Sequence, residues 1–384
     1  MSEFRTDPLF GTVCLVARER AARPHRLRLQ DQLVAEGPCP LCPGNESLCP
    51  PEVARVEQKF GTGGPSRWQT RAFPNRYPAV SLEAETQVAN LAEIQNEQKP
   101  VPGFGVHEVI VDSPNHALPF WALDPEQAVK LFTLLQTRVT DLFKDRRILC
   151  TQVFKNHRAG GGQSIEHPHL QLVGLPFLPA PLHTLVSARE CLVCELLKQE
   201  LGENLPKSKS PNQASQASQI SQNSQISGTT QSLGASSVSS SSAGSAVNER
   251  PPRLLAETSH FVALADYAPE FSYQFSIYPK KHRAGFEEAT AQELEDLAEI
   301  SSLVFGKFER LLGEFALNIV LFTQPNPESF AKPPSLFPWK ERVHWFFRVY
   351  PRMARHAGFE FSTRIPIVGV APEDAARAFR EKGV

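Results

Sequence analysis

HEVIVDSPNH, residues 107–116, alternates apolar and polar side chains as a half-buried strand does, then closes on Pro and His. FSYQFSIYPKKH, residues 271–282, repeats the pattern and also closes on Pro and His. What surrounds the two stretches matches as well. Eight residues after His116 comes Asp124-Pro125, a helix N-cap with proline in the first turn. Ala128, Leu131, Leu135, Val139 and Leu142 then fall on one helical face. Eight residues after His282, Thr290 opens a capping box with Glu293. Leu294, Leu297, Val304, Phe308 and Leu311 form the stripe that follows. Each helix leads to a strand and then to a His-bearing strand, HPHLQL (167–172) in the first half and VHWFFRVYP (343–351) in the second. Each half also begins with a C-x-x-C. The order therefore occurs twice. It predicts an α+β fold of two similar domains, each an antiparallel sheet with one long helix on a face. The domains are expected at 1–186 and at 187–205 with 250–384. Residues 206–249 are mostly Ser, Gln, Ala, Gly and Thr with no aromatics, which reads as a disordered insertion.

The chain has 384 residues and a net charge of −1. That balance argues against a protein that coats nucleic acid or lies on a membrane surface, since both need a field of one sign. No stretch approaches the ~20 apolar residues of a spanning helix. The N-terminus, MSEFRTDPLF, lacks the apolar segment of a secretory signal. The expected compartment is the cytoplasm, where disulfides are rare and paired cysteines point to metal.

Of seven cysteines, Cys39/Cys42 and Cys191/Cys194 form C-x-x-C pairs, while Cys14, Cys49 and Cys150 stand alone. A redox reading of C-x-x-C wants a thioredoxin-like βαβ context. The prolines and glycine of PCPLCPG instead suit a knuckle that turns two thiolates toward one ion. Cys39, Cys42, His116 and His167 make up a Cys2His2 set, the closed tetrahedron of structural zinc. Cys191, Cys194, His282 and His344 make up a second. One Zn2+ is expected and a second is allowed. The bland alternative, surface histidines and buried thiols, has to produce the same ligand types at matching places twice.

GGGQSIEHPHLQL, residues 160–172, holds one more histidine. His167 and His169 are two apart, so they share a strand face, with Pro168 stiffening the step. With His167 on a metal, His169 is a free imidazole beside a fixed point, suited to attack on phosphorus. Gly160, Gly161 and Gly162 let backbone amides approach phosphate oxygens. Ser164 and Gln171 can donate to the same oxygens, and Lys155 and Asn156 precede the loop. A satisfied core histidine is the alternative, and it leaves this clustering unexplained. Arg18, Arg20, Arg23, Arg26 and Arg28 form a basic N-terminal run from which one or two side chains can reach a phosphate. AFPNRYPAV (72–80) presents Phe73, Asn75 and Tyr77 as a base- or ribose-binding edge or as a buried strand end.

These residues resemble the galactose-1-phosphate uridylyltransferase family of the histidine-triad superfamily. The likeness runs through DPLFGTVCLVARERAARP, CPLCPGN, AFPNRYPAV, SPNH, the Gly-Gly-x-x-Ser lead into His-Pro-His-x-Gln, YPKKH and AGFEFSTRIPIVGVAPEDAA, in that order. It covers nearly the whole chain apart from the Ser/Gln insertion. It implies two histidine-triad-like domains and a ping-pong nucleotidyl transfer. In that scheme His169 attacks the α-phosphorus of a nucleotide sugar, sugar 1-phosphate leaves, and a second phosphate takes the nucleotide. Gln171, Ser164 and Asn156 would bind phosphates, with Gly161 and Gly162 beside them. Arg20 and Arg23 would match the family's N-terminal arginines, and Phe73 and Asn75 would lie near the nucleoside. Glu360 would contact the hexose, across a homodimer. The implied partners are a nucleotide sugar and a sugar 1-phosphate or phosphate, in galactose and carbohydrate metabolism, with no nucleic acid and no membrane. Two places depart from the family pattern. Position 170 is Leu where uridylyltransferases carry Gly, and Phe346 and Arg348 stand where zinc-and-iron members carry His-x-His. The latter resembles the two-zinc branch that includes ADP-glucose phosphorylase. The leading expectation is transfer of uridylyl from UDP-glucose to hexose 1-phosphate. The alternatives are phosphorolysis of ADP-glucose or of a dinucleoside polyphosphate, and, outside enzymes, a zinc-stabilised nucleotide-binding module.

Overall fold

The computed structural model of the protein describes residues 2–22, 37–59, 66–84, 102–202, 252–329 and 339–382. The expected insertion at 206–249 and Arg23 lie outside the described residues. The chain opens with β1 (Glu3–Thr6) and β2 (Val13–Val16). The first half follows with β3 (Ala54–Lys59), β4 (Ser66–Pro74), β5 (Val106–Val111), α1 (Pro125–Phe143), β6 (Cys150–His157) and β7 (His169–Leu175). Short helices α2 (Ala180–Ser187) and α3 (Leu192–Leu201) lead out of it. The second half repeats the series as β8 (Leu254–Glu257), β9 (Phe261–Ala265), β10 (Phe275–Pro279), α4 (Ala291–Leu312), β11 (Leu317–Phe322) and β12 (Phe346–Pro351), with α5 (Trp339–Arg342) before the last strand. The chain then forms α6 (Gly358–Thr363), β13 (Ile367–Val368) and α7 (Pro372–Lys382).

The two expected sheets are one. The strand order is β3-β4-β5-β7-β6-β11-β12-β10-β9-β8, which reads the same from either end once the halves are matched. The seam is an antiparallel ladder between β6 and β11, from Leu317 opposite His157 to Leu321 opposite Val153. β13 instead adds to β2 in a small separate sheet.

The helices form where the sequence caps them. Asp124 accepts a hydrogen bond from the Gln127 amide at 2.9 Å. Thr290 and Glu293 make both bonds of a capping box, and Gly313 ends α4 at φ 72°. Both helices lie on the same sheet face. Leu131, Leu135 and Val139 of α1 and Leu294, Leu297 and Phe308 of α4 join one core with Ile110, Leu172, Phe275, Leu321 and Val349 of the strands. Each such side chain contributes about 1.5–3 kcal/mol when fully buried. Arg138 of α1 forks onto Glu108 of β5, with both nitrogen–oxygen distances 2.8 Å, and ties the helix to the sheet. On the opposite face, α2, α3 and α5 cover the second half through Leu182, Leu196 and Trp339. The same face of the first half carries the polar residues described next. No helix among the described residues is long and apolar enough to cross a membrane.

Candidate active site and metal centres

β7 starts at His169 and alternates faces. Leu170 and Leu172 point into the core under the helices, so His169 and Gln171 point the other way. The leucine at position 170 therefore lies behind the sheet rather than beside His169. His169 is buried, and its Nδ1 sits 2.8 Å from the carbonyl of His167. A carbonyl only accepts, so Nδ1 carries the hydrogen and Nε2 keeps its lone pair. Burial lowers the His169 pKa, the His167 carbonyl works against this, and the nearby Lys155 cation lowers it further. The imidazole is thus held neutral, in the tautomer a nucleophile at Nε2 requires.

Gln171 is fixed by a residue outside the sequence-derived set. His107 on β5 accepts from the Ala79 amide at Nδ1, 3.1 Å, so its Nε2–H donates to Gln171 Oε1 at 2.9 Å. With Oε1 held, Gln171 has its amide hydrogens to offer a ligand. Asn75 Nδ2 lies 3.5 Å from the same oxygen, and its Oδ1 accepts from the Tyr77 amide. Phe73 is buried with Val109 and Val111 behind this edge. The signal for His107 was present in HEVIVD: His107, Val109 and Val111 share a face, and Val109 pairs with Gln171.

A buried layer braces the histidines. The Lys155 ammonium lies 2.7 Å from Asp112 Oδ2 and donates to the His169 carbonyl at 3.1 Å. The Asp112 amide donates to the Pro168 carbonyl at 3.0 Å. Lys155 and Asp112 are both fully buried, so removing either leaves a charge unpaired in the core.

The glycines serve a different purpose from the expected one. Gly161 and Gly162 donate their amides to Arg158 and Ala159 within a tight turn, so these amides are not turned toward a phosphate. A Cβ on Gly161 would lie 2.5 Å from the Leu317 carbonyl oxygen of the second half, and one on Gly160 would lie 2.9 Å from the Ala316 Cβ. Gly160 and Gly161 are glycine because the chain entering β11 passes against them, and Gly162 because its φ is +84°. Gly161→Ala is expected to cost about 1–3 kcal/mol in urea unfolding, since the backbone it meets cannot swing aside. An unchanged midpoint and slope would show that the turn relaxes freely.

Cys39, Cys42, His116 and His167 bring their ligand atoms within 4.8 Å of one another, and so do Cys191, Cys194, His282 and His344. Cys42 Sγ lies 3.2 Å from His116 Nδ1 and 3.5 Å from His167 Nδ1. His167 Nε2 is 2.8 Å from the Ser113 carbonyl and donates to it, which leaves Nδ1 as the free donor facing the thiols. Burial lowers the His167 pKa to about 4, so the ring is neutral as a ligand must be. In the second set Cys194 Sγ lies 3.3 Å from His282 Nδ1 and 3.6 Å from His344 Nδ1, and His282 Nε2 donates to the Lys340 carbonyl at 2.8 Å. Both sets fit a tetrahedral two-sulfur, two-nitrogen ion.

The halves differ at the position of His169. Gln171 pairs with Phe154, Phe154 with Val320 and Val320 with Arg348, so Arg348 is the counterpart of Gln171. Two residues earlier, Phe346 is the counterpart of His169. Arg348 is buried, 2.9 Å from Asp7 Oδ2 and 3.1 Å from Asp266 Oδ2, with its guanidinium over the Phe10 ring. Phe10 also packs on Phe322 with centroids 5.0 Å apart. The second half thus keeps a Cys2His2 set but has no histidine at that position, and residues 7–10 fill its face.

Of the remaining sequence candidates, Asn156 lies on the His169 face of β6, and Ser164 is exposed in the loop leading to His167. Arg20 is exposed on a 3-10 turn at Arg18–Ala22. Glu360 lies apart from this cluster. It accepts from the Ala357 amide at 2.9 Å and lines a cavity of about 220 Å³ with Glu270, His356 and Arg364.

Comparison with known proteins agrees with this fold. Residues 1–179 match the family model for the N-terminal domain of galactose-1-phosphate uridyl transferase. The chain is 25% identical to ADP-glucose phosphorylase of Arabidopsis thaliana over 390 residues, spanning 99% of this chain and 92% of that one. It is also 25% identical to galactose-1-phosphate uridylyltransferase of Thermotoga maritima, spanning 100% and 99%. Its fold superposes on the crystal structure of an Arabidopsis thaliana ADP-glucose phosphorylase with bound ADP-glucose. The TM-score is 0.71 at 23% identity, over 99% of each chain.

Proposed function

We propose that the chain is a nucleotidyltransferase of the galactose-1-phosphate uridylyltransferase family and that His169 carries the nucleotide. The observation that supports this reading is the Nδ1–H bond to the His167 carbonyl, which leaves Nε2 as the free base on the site face. In the first step Nε2 bonds to the α-phosphorus of a nucleotide sugar as the bond from that phosphorus to the bridging oxygen breaks. The sugar 1-phosphate departs with that oxygen. In the second step a phosphate oxygen of the acceptor displaces the imidazole, and the phosphorus–nitrogen bond breaks. Charge that builds on the ring is drawn toward the His167 carbonyl through Nδ1–H. Gln171, its Oε1 held by His107, donates to the phosphoryl oxygens, and Asn156 does the same from β6. Ser164 binds a phosphate from the loop, Phe73 and Asn75 border the nucleoside, and Arg20 supplies a phosphate contact from the N-terminal turn.

The ions held by the two Cys2His2 sets are zinc in this reading, and their chemistry is structural, since four protein ligands close the tetrahedron. The first pins the CPLC knuckle and the SPNH strand end to the strand that bears His169. Glu360 contacts the sugar of a neighbouring subunit's site in a homodimer.

The donor is UDP-glucose, with a hexose 1-phosphate as acceptor, or ADP-glucose, with phosphate as acceptor. One observation favours the second donor: Phe346 and Arg348 stand where a His-x-His metal set would be, whereas the likeness to enzymes of both kinds runs the length of the chain. Intact-protein mass after incubation with each nucleotide sugar, without acceptor, separates them. A uridylyl increment assigns the first and an adenylyl increment the second. No increment from either, on protein holding its metal, would sink covalent transfer from these donors.

A further inference from the structure

We infer that Asn318, which belongs to the second half, is a positioning residue for nucleotidyl transfer in the first; this rests on the transfer proposed at His169. Asn318 and Asn156 are direct partners across the β6–β11 seam. Leu317 and Ile319 point into the core beneath the helices, so Asn318 points to the face that carries His169. Its Nδ2 donates to Asn156 Oδ1 at 2.9 Å and to the Gly161 carbonyl at 2.6 Å. Both of its amide hydrogens are engaged, one on each piece of the wall beside His169.

The consequence for Asn156 is specific. An amide has one accepting and one donating end. With Oδ1 tied to Asn318, Asn156 is left with its Nδ2 hydrogens for a phosphate oxygen, and among the described residues only the Gly162 carbonyl, at 3.4 Å, otherwise competes for them. Asn318 therefore sets the orientation in which Asn156 donates rather than repels. The second bond holds the glycine turn against β11, where Gly161 already lies too close for a side chain. Extending the β6–β7 register by two residues from Phe154 opposite Gln171 brings Asn156 level with His169. A small rotation of Asn156 is thus felt at the reacting phosphoryl group, and misplacement by about 1 Å can cost about a hundredfold in rate. The second half has lost its own nucleophile position to Phe346, and through Asn318 it contributes to the remaining site.

The test is a cycle of Asn318→Ala, Asn156→Ala and the double variant. Single-turnover formation of the nucleotidyl adduct is followed by intact mass with whichever of UDP-glucose and ADP-glucose labels the wild type. Asn318→Ala is expected to slow adduct formation about ten- to a hundredfold, mainly in kcat rather than KM. The double variant should fall no more than about threefold below Asn156→Ala, because the two act as one unit. A residue that merely stabilises the fold would give effects that multiply. Asn318→Asp is the second variant. It keeps the size but cannot donate, so Asn156 must turn its Nδ2 inward, and the same loss is expected. Wild-type rates in the alanine or aspartate variant, or multiplying effects, overturn the inference. If the wild type takes no adduct from either donor, the transfer reading itself has failed, and the two failures are distinguishable.

Discussion

Replacing His169 with alanine abolishes the adduct and lowers nucleotide transfer by about 10^4-fold or more, the scale on which a covalent nucleophile's removal is usually felt. The variant keeps its fold, because the ring faces away from the main core and its side chain bonds only to a neighbouring carbonyl among the described residues. Its melting temperature and metal content should match wild type, and it should still bind the nucleotide sugar. His169→Gln is a useful companion, since it restores a polar side chain without a nucleophilic nitrogen. A His169→Ala protein that acquired the adduct at wild-type rate would move the nucleophile elsewhere and leave this site without its central role.

Cys39→Ala is expected to have the largest effect on the fold of the first half. It breaks a closed ligand set, so metal content measured by plasma mass spectrometry should drop by one equivalent per chain. Structural zinc contributes about 10–16 kcal/mol in zinc-finger peptides, and whole domains are stable by only about 5–15 kcal/mol. Loss of even part of that should lower the melting temperature well beyond an ordinary surface variant. His167 is released together with the knuckle, so adduct formation on His169 should fall too. Cys191→Ala provides the contrast. It should lose one metal equivalent and stability, yet the protein that stays folded should label normally, because Phe346 occupies the matching position. Full metal retention by Cys39→Ala would remove Cys39 from the ligand set.

Much of this was legible in the sequence, for physical reasons. Helix caps and apolar stripes are local, so Asp124, Thr290 and Glu293 announced α1 and α4 correctly. The ligand sets were legible because each half repeats the same residue types in the same order, and the structure brings each set within 4.8 Å. The His169 tautomer was not legible, since it depends on a carbonyl's direction. His107 was passed over as the first residue of a strand, although its alternation with Val109 and Val111 places it beside Gln171. The glycines were read as a run open to phosphate, and the close approach that requires Gly161 was hidden because the Leu317 carbonyl lies more than 150 positions away. The same distance hid Asn318, whose bond to Asn156 spans 162 residues. The merging of two sheets into one was also hidden. β6 and β11 read as ordinary interior strands, and nothing in either names the other as its neighbour.

That ladder between β6 and β11 has a consequence for ancestry. Val320 pairs with Phe154, and the order of strands runs identically outward on both sides of that pair, so the molecule carries an approximate dyad there. A single half would end in a bare, unpaired edge at β6, the kind of edge that recruits another strand. Two copies of such a half, each offering the same edge, would close on one another by the isologous pairing that symmetric dimers use. The present chain reads as that dimer fused into one polypeptide. Fusion released one copy from having to stay identical to the other. One active centre could then decay into packing while its neighbour kept the chemistry.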